Sequence, residues 1–243
     1  MECSNYYLEN KSELIKLFKS SKKQQNEVLC RHIEIQKIEY WMNEAEKTFI
    51  ELIPNIPDIG GHDNIMLSFL TYSAVLMPIA KILKNEGFST RIIGQAIFEI
   101  AEGMYNSIPM KNRLIINRDY YLESNIDKWR KHAEESHKKK YDGDWVLNFI
   151  EEKNDFLYGL DMTECAISKF WKSQKLEELV PYLCLMDWAY WKTVGIRVKR
   201  TKTIANGGKI CNYRYLGRSE CTNDCPSGWP PEAMEEWTGK YEK

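Results

Sequence analysis

The hydrophobic period of this chain changes once, near residue 140, and that change limits the folds open to it. Before it, apolar residues recur at helical spacing. Val28 to Leu52 carries Ile38, Trp41, Met42, Ala45 and Phe49 on one stripe, and Pro54 and Pro57 end it. Leu14 to Ser20 reads as a short charged helix. Ile65 to Lys84 reads as an apolar helix that Pro78 kinks or interrupts. Gly87 reads as its C-terminal stop and Ser89 as the N-cap of the next helix, which runs to Ser107. Arg113 to Lys140 alternates charge and reads as one long, partly exposed helix.

After residue 140 the period drops to two. Trp145, Leu147 and Phe149 alternate with polar neighbours, as do Phe156, Tyr158 and Leu160, and Lys153-Asn154-Asp155 can turn between them. Two helices follow, Glu164 to Ser173 and Leu176 to Trp191. A second hairpin, Ile196 to Ile204 with Lys209 to Leu216, turns at Asn206-Gly207-Gly208. The expectation is an α+β fold: a helical N-terminal layer packed with a small antiparallel sheet in β-β-α-α-β-β order. The parts are a helical part over 1–140, an α+β part over 141–217 and an irregular tail over 218–243.

Bulk properties narrow the function classes. The 243 residues are 43% apolar and 28% charged, with a formal net charge of -1, which suits a globular chain with a sizeable core. No basic field calls for nucleic acid or an anionic membrane. The longest apolar tract, Leu67 to Leu83, holds Ser68, Thr71, Ser73 and Lys81 and reads as too polar to span a bilayer. The first residues show no signal peptide, so the expected location is cytoplasmic and the seven cysteines read as thiols or ligands rather than disulfides. The partner expected is a small-molecule substrate, with no nucleic acid and no membrane; a homo-oligomer is compatible with all of this, and no cofactor is implied.

The reactive residues gather in the last third. Val180, Leu183, Cys184, Asp187, Trp188 and Trp191 recur at helical spacing, and Cys184 and Asp187, three apart, share a face. A cysteine there can be a small buried hydrophobe. A carboxylate there needs hydrogen bonds or a cation. Arg200 lies between apolar neighbours of the next strand and wants a carboxylate, either that of Asp187 or a substrate's. A two-residue Asn206-Gly207 turn sets Arg200 opposite Tyr213, on one face with Cys211 and Tyr215. Cys165 opens a helix, where the free N–H groups lower a thiol pKa, and is the nucleophile candidate by position. Thr201 and Thr203 can aim hydroxyls at developing charge if their strand twists them inward. All four histidines (His32, His62, His132, His137) lie in the helical half; His62, beside Gly60-Gly61, is the one suited to complete a Cys–His pair. A rival reading makes Cys165, Cys184 and Cys211 zinc ligands. Cys221 and Cys225 are near ligand spacing but lie in the tail.

These residues carry a resemblance. Asp144-Trp145, Tyr158 through Cys165, Pro181 through Asp187 and Arg200 through Tyr215, with Ile56-Pro57-Asp58-Ile59-Gly60-Gly61 and Asn64 upstream, resemble the L-2-amino-thiazoline-4-carboxylic acid hydrolase family over roughly residues 40 to 216. In that family an Asp and then Phe-Arg usually follow the last cysteine; here Asn212-Tyr213-Arg214 do. The resemblance implies hydrolysis of a non-peptide C–N bond in a cyclic amidine. The expected roles are Cys165 as nucleophile (or Cys184), Asp187 as base, and Arg200, Thr201, Thr203, Cys211, Tyr213 and His62 toward the substrate. The alternatives are a metal-dependent hydrolase using the same cysteines and a non-enzymatic small-molecule binding module, which the 8 Trp and 14 Tyr could line.

Overall fold

A computed structural model describes residues 5–31, 33–153, 155–219 and 236–242. His32, Asn154, Cys221 and Cys225 lie outside the described residues. The helices are α1 (Tyr6–Glu9), α2 (Lys11–Leu29), α3 (Ile35–Leu52), α4 (Leu67–Asn85), α5 (Thr90–Asn106), α6 (Met110–Tyr120), α7 (Glu123–Ser136), α8 (Ala166–Ser173) and α9 (Val180–Val194). The strands are β1 (Val146–Ile150), β2 (Tyr158–Glu164), β3 (Ile196–Lys199) and β4 (Cys211–Arg218), all paired antiparallel in the spatial order β1-β2-β4-β3. The fold is α+β.

Two expected helices are each split. The chain leaves helical geometry after Leu29 and resumes at Ile35, so that α3 folds back on α2 and Phe18 stacks on Phe49 at 4.9 Å. The break at Tyr121–Leu122 lets two tyrosines reach the sheet. The Tyr121 hydroxyl donates to the Gly217 carbonyl and the Tyr120 ring packs 5.5 Å from Tyr215. Neither break holds Gly or Pro; tertiary contacts override a continuous helical pattern. Conversely, α4 runs through Pro78 without interruption. By length and composition alone α4 could cross a membrane, so its polar residues do not disqualify it as expected; 61% of its apolar window is buried inside the fold, where it serves as a core helix.

Helix boundaries follow local chemistry. Ser89 accepts from the Ile92 N–H to cap α5. Gly87 takes φ +84°, while Phe88 N–H returns to the Leu83 carbonyl. Gly195, at φ +68°, ends α9 and hands the chain straight to β3. Helix α9 is buried on nearly every side and lies close along α5. Gly94 permits that approach, since a Cβ there would sit 2.0 Å from the Tyr182 ring.

The sheet presents one apolar face to the helices. Tyr158, Leu160 and Met162 of β2 pair with Tyr215, Tyr213 and Cys211 of β4, and all six are buried. The other face carries the Asp161–Arg214 ion pair at 2.7 Å. Val198 opposite Tyr215 and Lys199 opposite Arg214 is the register that a turn centred on Asn206-Gly207 demands. The strand itself stops at Lys199, earlier than expected, and residues 200–210 form a wider connection. Only Gly207 has positive φ there, so Asn206 does not make the mirror-image turn that the Asn-Gly pair suggests.

Candidate active site

Helix α9, helix α8 and strand β4 converge behind the sheet on a cavity of about 70 Å³. Cys165, Cys184, Cys211, Asp187 and Tyr213 all line it, with Trp145 and Trp191 as aromatic walls. Alternation along β4 aims Cys211 and Tyr213 inward, and the one-turn spacing on α9 aims Cys184 and Asp187 at the same space.

Arg200 organises the cavity's edge. It is 1% exposed, and its five N–H groups all have protein acceptors. Nε donates to Glu236 Oε2 (2.6 Å) and Nη2 to Glu236 Oε1 (2.8 Å) and the Cys184 carbonyl (2.6 Å). Nη1 donates to Asp187 Oδ2 and to the Tyr213 hydroxyl (3.0 Å). The rings of Trp188, Trp191 and Tyr213 stand 5.0 to 5.7 Å from the guanidinium carbon, within cation–π range. Two carboxylates flank a fully buried cation: one balances its charge, as a buried charge requires, and the second is an excess negative group. In this arrangement every N–H of Arg200 has a protein acceptor, and Arg200 is among the lining residues of neither cavity.

Asp187 differs from Glu236. The Glu236 side chain is wholly buried, whereas that of Asp187 is 29% exposed. Its Oδ2 accepts from Arg200 and from the Tyr213 hydroxyl (3.3 Å), and no donor among the described residues reaches Oδ1. Burial raises its pKa above the ordinary carboxylate value, against the pull of Arg200 and with a push from Glu236. A carboxyl with a free oxygen and a raised pKa is equipped to exchange a proton.

Cys165 is the N-cap of α8, and the Ser168 N–H donates to its Sγ at 3.5 Å. The expected acidic thiol is not found. Burial raises the Cys165 pKa, and the N–H groups of Ser168 and Ile167 and the Trp145 side chain offset only part of that. Burial also raises Cys184 well above a free thiol, despite Arg200, and pushes Cys211 up to about 12. Cys211 Sγ accepts from the Ile204 N–H at 3.2 Å. Burial thus shifts all three thiols toward the protonated form. Among the described residues no group of three His, Cys, Asp or Glu side chains has the arrangement to hold a metal ion.

The remaining candidates lie elsewhere. Thr203 Oγ1 accepts from the Asn206 N–H and side-chain amide, and Thr201 Oγ1 from Asn212 Nδ2, so both brace the 200–210 connection rather than face the cavity. The physical reason is that the strand ends at Lys199 and the alternation that would turn them inward is lost. His62 is exposed, 3.5 Å from the Tyr6 hydroxyl, and lines neither this cavity nor the one beside it. Asn212 Oδ1 accepts from the Thr201 and Lys202 N–H groups on the outer face. Asn212 is therefore a loop brace, holding the Thr201 and Lys202 N–H groups through Oδ1 and the Thr201 hydroxyl through Nδ2. Sequence reasoning missed Glu236, because nothing local marks it in a Pro- and Gly-rich tail. It also missed Trp145, whose place in the Asp144-Trp145 motif was a usable signal.

The fold is α+β, and three cysteines and Asp187 line one small cavity behind its sheet. The family described as L-2-amino-thiazoline-4-carboxylic acid hydrolase matches residues 69–215, from α4 to β4, and the chain belongs to that family. The matched span holds all three thiols, Asp187 and Arg200, while the upstream Ile56–Asn64 motif and Glu236 lie outside it. No curated protein and no solved structure matches the chain.

Proposed function

We propose that the chain hydrolyses a non-peptide C–N bond of a cyclic amidine, with Cys165 as nucleophile and Asp187 as the group that moves protons. One observation carries this reading: Cys165 and Asp187 line the same small cavity, in a member of a hydrolase family.

The raised thiol pKa requires a base, and Asp187 interacts electrostatically with Cys165 across the cavity. In the first step the Cys165 proton passes to Asp187 as sulfur bonds to the carbon of the protonated amidine and the C=N pair moves to the ring nitrogen. The Asp187 proton then goes to that nitrogen, the lone pair of the exocyclic nitrogen forms a new C=N bond, the ring C–N bond breaks to release an amine, and a protonated thioimidate remains on Cys165. Water adds to that carbon, losing a proton to Asp187. The bond to Cys165 sulfur breaks as that proton returns to sulfur, the added hydroxyl gives its proton to the released amine, and the product is the ring-opened carbamoyl compound. The Ser168 and Ile167 N–H groups at the start of α8 sit where negative charge grows, as does the helix dipole. Tyr213 and Arg200 hold Asp187 in place through Oδ2 and leave Oδ1 for the proton.

The test is turnover of 2-amino-thiazolines by wild type and by Asp187→Asn, read by product mass. At least about a hundredfold loss in the variant is expected from removal of a general acid–base group. A rate within threefold of wild type would overturn the assignment. A binding module without chemistry is the second reading, favoured by the large apolar cavity beside the site. It predicts binding of the same compounds with no product.

A further inference from the structure

Asp187 reaches a second space. A cavity of about 510 Å³ lies on the other side of Phe69, Ile167, Leu183 and Asp187, the four residues that line both. It is enclosed by α2, α4, α5 and α9, with Leu76, Met104 and Met186 among its apolar walls. Serines widen it without making it polar. The hydroxyls of Ser20, Ser21, Ser73 and Ser107 each donate to the carbonyl three residues back, so they offer volume rather than free donors. The phenols of Tyr72, Tyr105 and Tyr190, the Gln24 amide and the Ser68 hydroxyl are its other neutral polar groups.

Charge decides what can sit there. Asp187 is the one charged residue lining either cavity; no Lys, Arg or His lines them among the described residues. The nearest buried cation, Arg200, has no N–H to give. A carboxylate brought into this space would lose its water, meet Asp187 and find no cation, which is an unfavourable transfer. A protonated amidine would pair with Asp187 Oδ1, and an apolar group attached to it would leave water for the larger cavity. The small cavity is about the size of two or three waters, whereas the larger one lies in the range that holds drug-sized ligands.

We propose that the ligand class of this chain is a neutral or cationic amidine without a carboxylate, carrying an aryl or branched alkyl extension that fills the larger cavity. This departs from the carboxylate in the family's description. It rests on the hydrolase reading for turnover but not for binding, so the two can fail separately.

The test compares three compounds on the full chain by calorimetry: 2-amino-2-thiazoline, its 4-phenyl derivative and its 4-carboxylate. Burial of the phenyl group predicts at least about tenfold tighter binding than the parent, with the carboxylate the weakest. Ser68→Phe, at the exposed mouth of the cavity, should cut the phenyl advantage to below about threefold. Ser20→Phe on the α2 wall serves the same end if the first variant does not fold. Carboxylate binding as tight as phenyl binding would overturn the ligand class. Equal affinity of phenyl and parent compounds would overturn the role of the larger cavity. Tight phenyl binding with no product from any of the three would support the ligand class and overturn the hydrolase reading instead.

Discussion

Neutralising Glu236 is the sharpest structural perturbation available. Its wholly buried carboxylate accepts from Arg200 Nε at 2.6 Å, from Arg200 Nη2 at 2.8 Å and from Trp188 Nε1 at 3.2 Å. Glu236→Gln keeps the shape, removes one of two counter-charges and turns an amide donor toward a guanidinium donor. Arg200 would then depend on Asp187 alone, in a cage of three rings that admits little water. Breaking a buried ion pair by removing one partner costs about 3–5 kcal/mol. In a chain of this length each kcal/mol moves the melting temperature by about 2–4 °C, so a fall of roughly 6–20 °C is expected. Circular dichroism at 222 nm through a thermal ramp measures it. A fall below about 2 °C would refute the reasoning, because it would mean that the guanidinium is hydrated and the cluster open. The same variant carries a second signature. Glu236 contributes to raising the Asp187 pKa, so its loss should lower that pKa and move the acidic limb of any pH–rate profile to lower pH.

Four further outcomes are expected. Cys165→Ser should leave stability within about 1 kcal/mol, because Ser is itself a favoured N-cap, and should cost at least about a hundredfold in rate; melting and turnover on one preparation separate fold from chemistry. Iodoacetamide should label exposed Cys30 first and spare Cys165, Cys184 and Cys211 at about pH 8.5, the free-thiol pKa, as peptide mass spectrometry would reveal. Because these three pKa values are raised on folding, the stability they contribute is complete below the free-thiol pKa. It is lost as pH rises through the folded values, toward about 12 for Cys211, which an alkaline melting series would record. Gly94→Ala should force α5 from α9 and cost about 1–3 kcal/mol by denaturant titration, since its Cβ would meet the Tyr182 ring at 2.0 Å.

The α+β class was legible because period-two and period-3.6 patterns occupy different parts of the chain. The shared face of Cys184 and Asp187 was legible because it depends only on helical spacing. Asp187 as a partner for Arg200 was one of two options the pattern allowed, and Val198 does face Tyr215 as a turn centred on Asn206-Gly207 would set it, although the chain joins the strands by a wider connection. What stayed hidden was set by contacts distant in sequence. Glu236 reaches Arg200 from 36 residues away with no periodic signal. The break between α6 and α7 exists because Tyr120 and Tyr121 find β4, which no local pattern announces. Thr201 and Thr203 read as inward-facing only while the strand is taken to continue past Lys199. The acidity expected of Cys165 fails for a related reason. A helix N-terminus is visible in sequence, but the burial that outweighs it is a property of the assembled cavity.

In the proposed reaction Cys165 forms a covalent bond to the amidine carbon with Asp187 as its proton partner. The most direct measurement is acid-quenched mass spectrometry of the full chain during turnover of 2-amino-2-thiazoline and its 4-phenyl derivative. The account predicts a mass increment confined to the peptide holding Cys165, present in wild type and absent from Cys165→Ser. Turnover with no adduct on any cysteine, together with a Cys165→Ser rate within threefold of wild type, would contradict it.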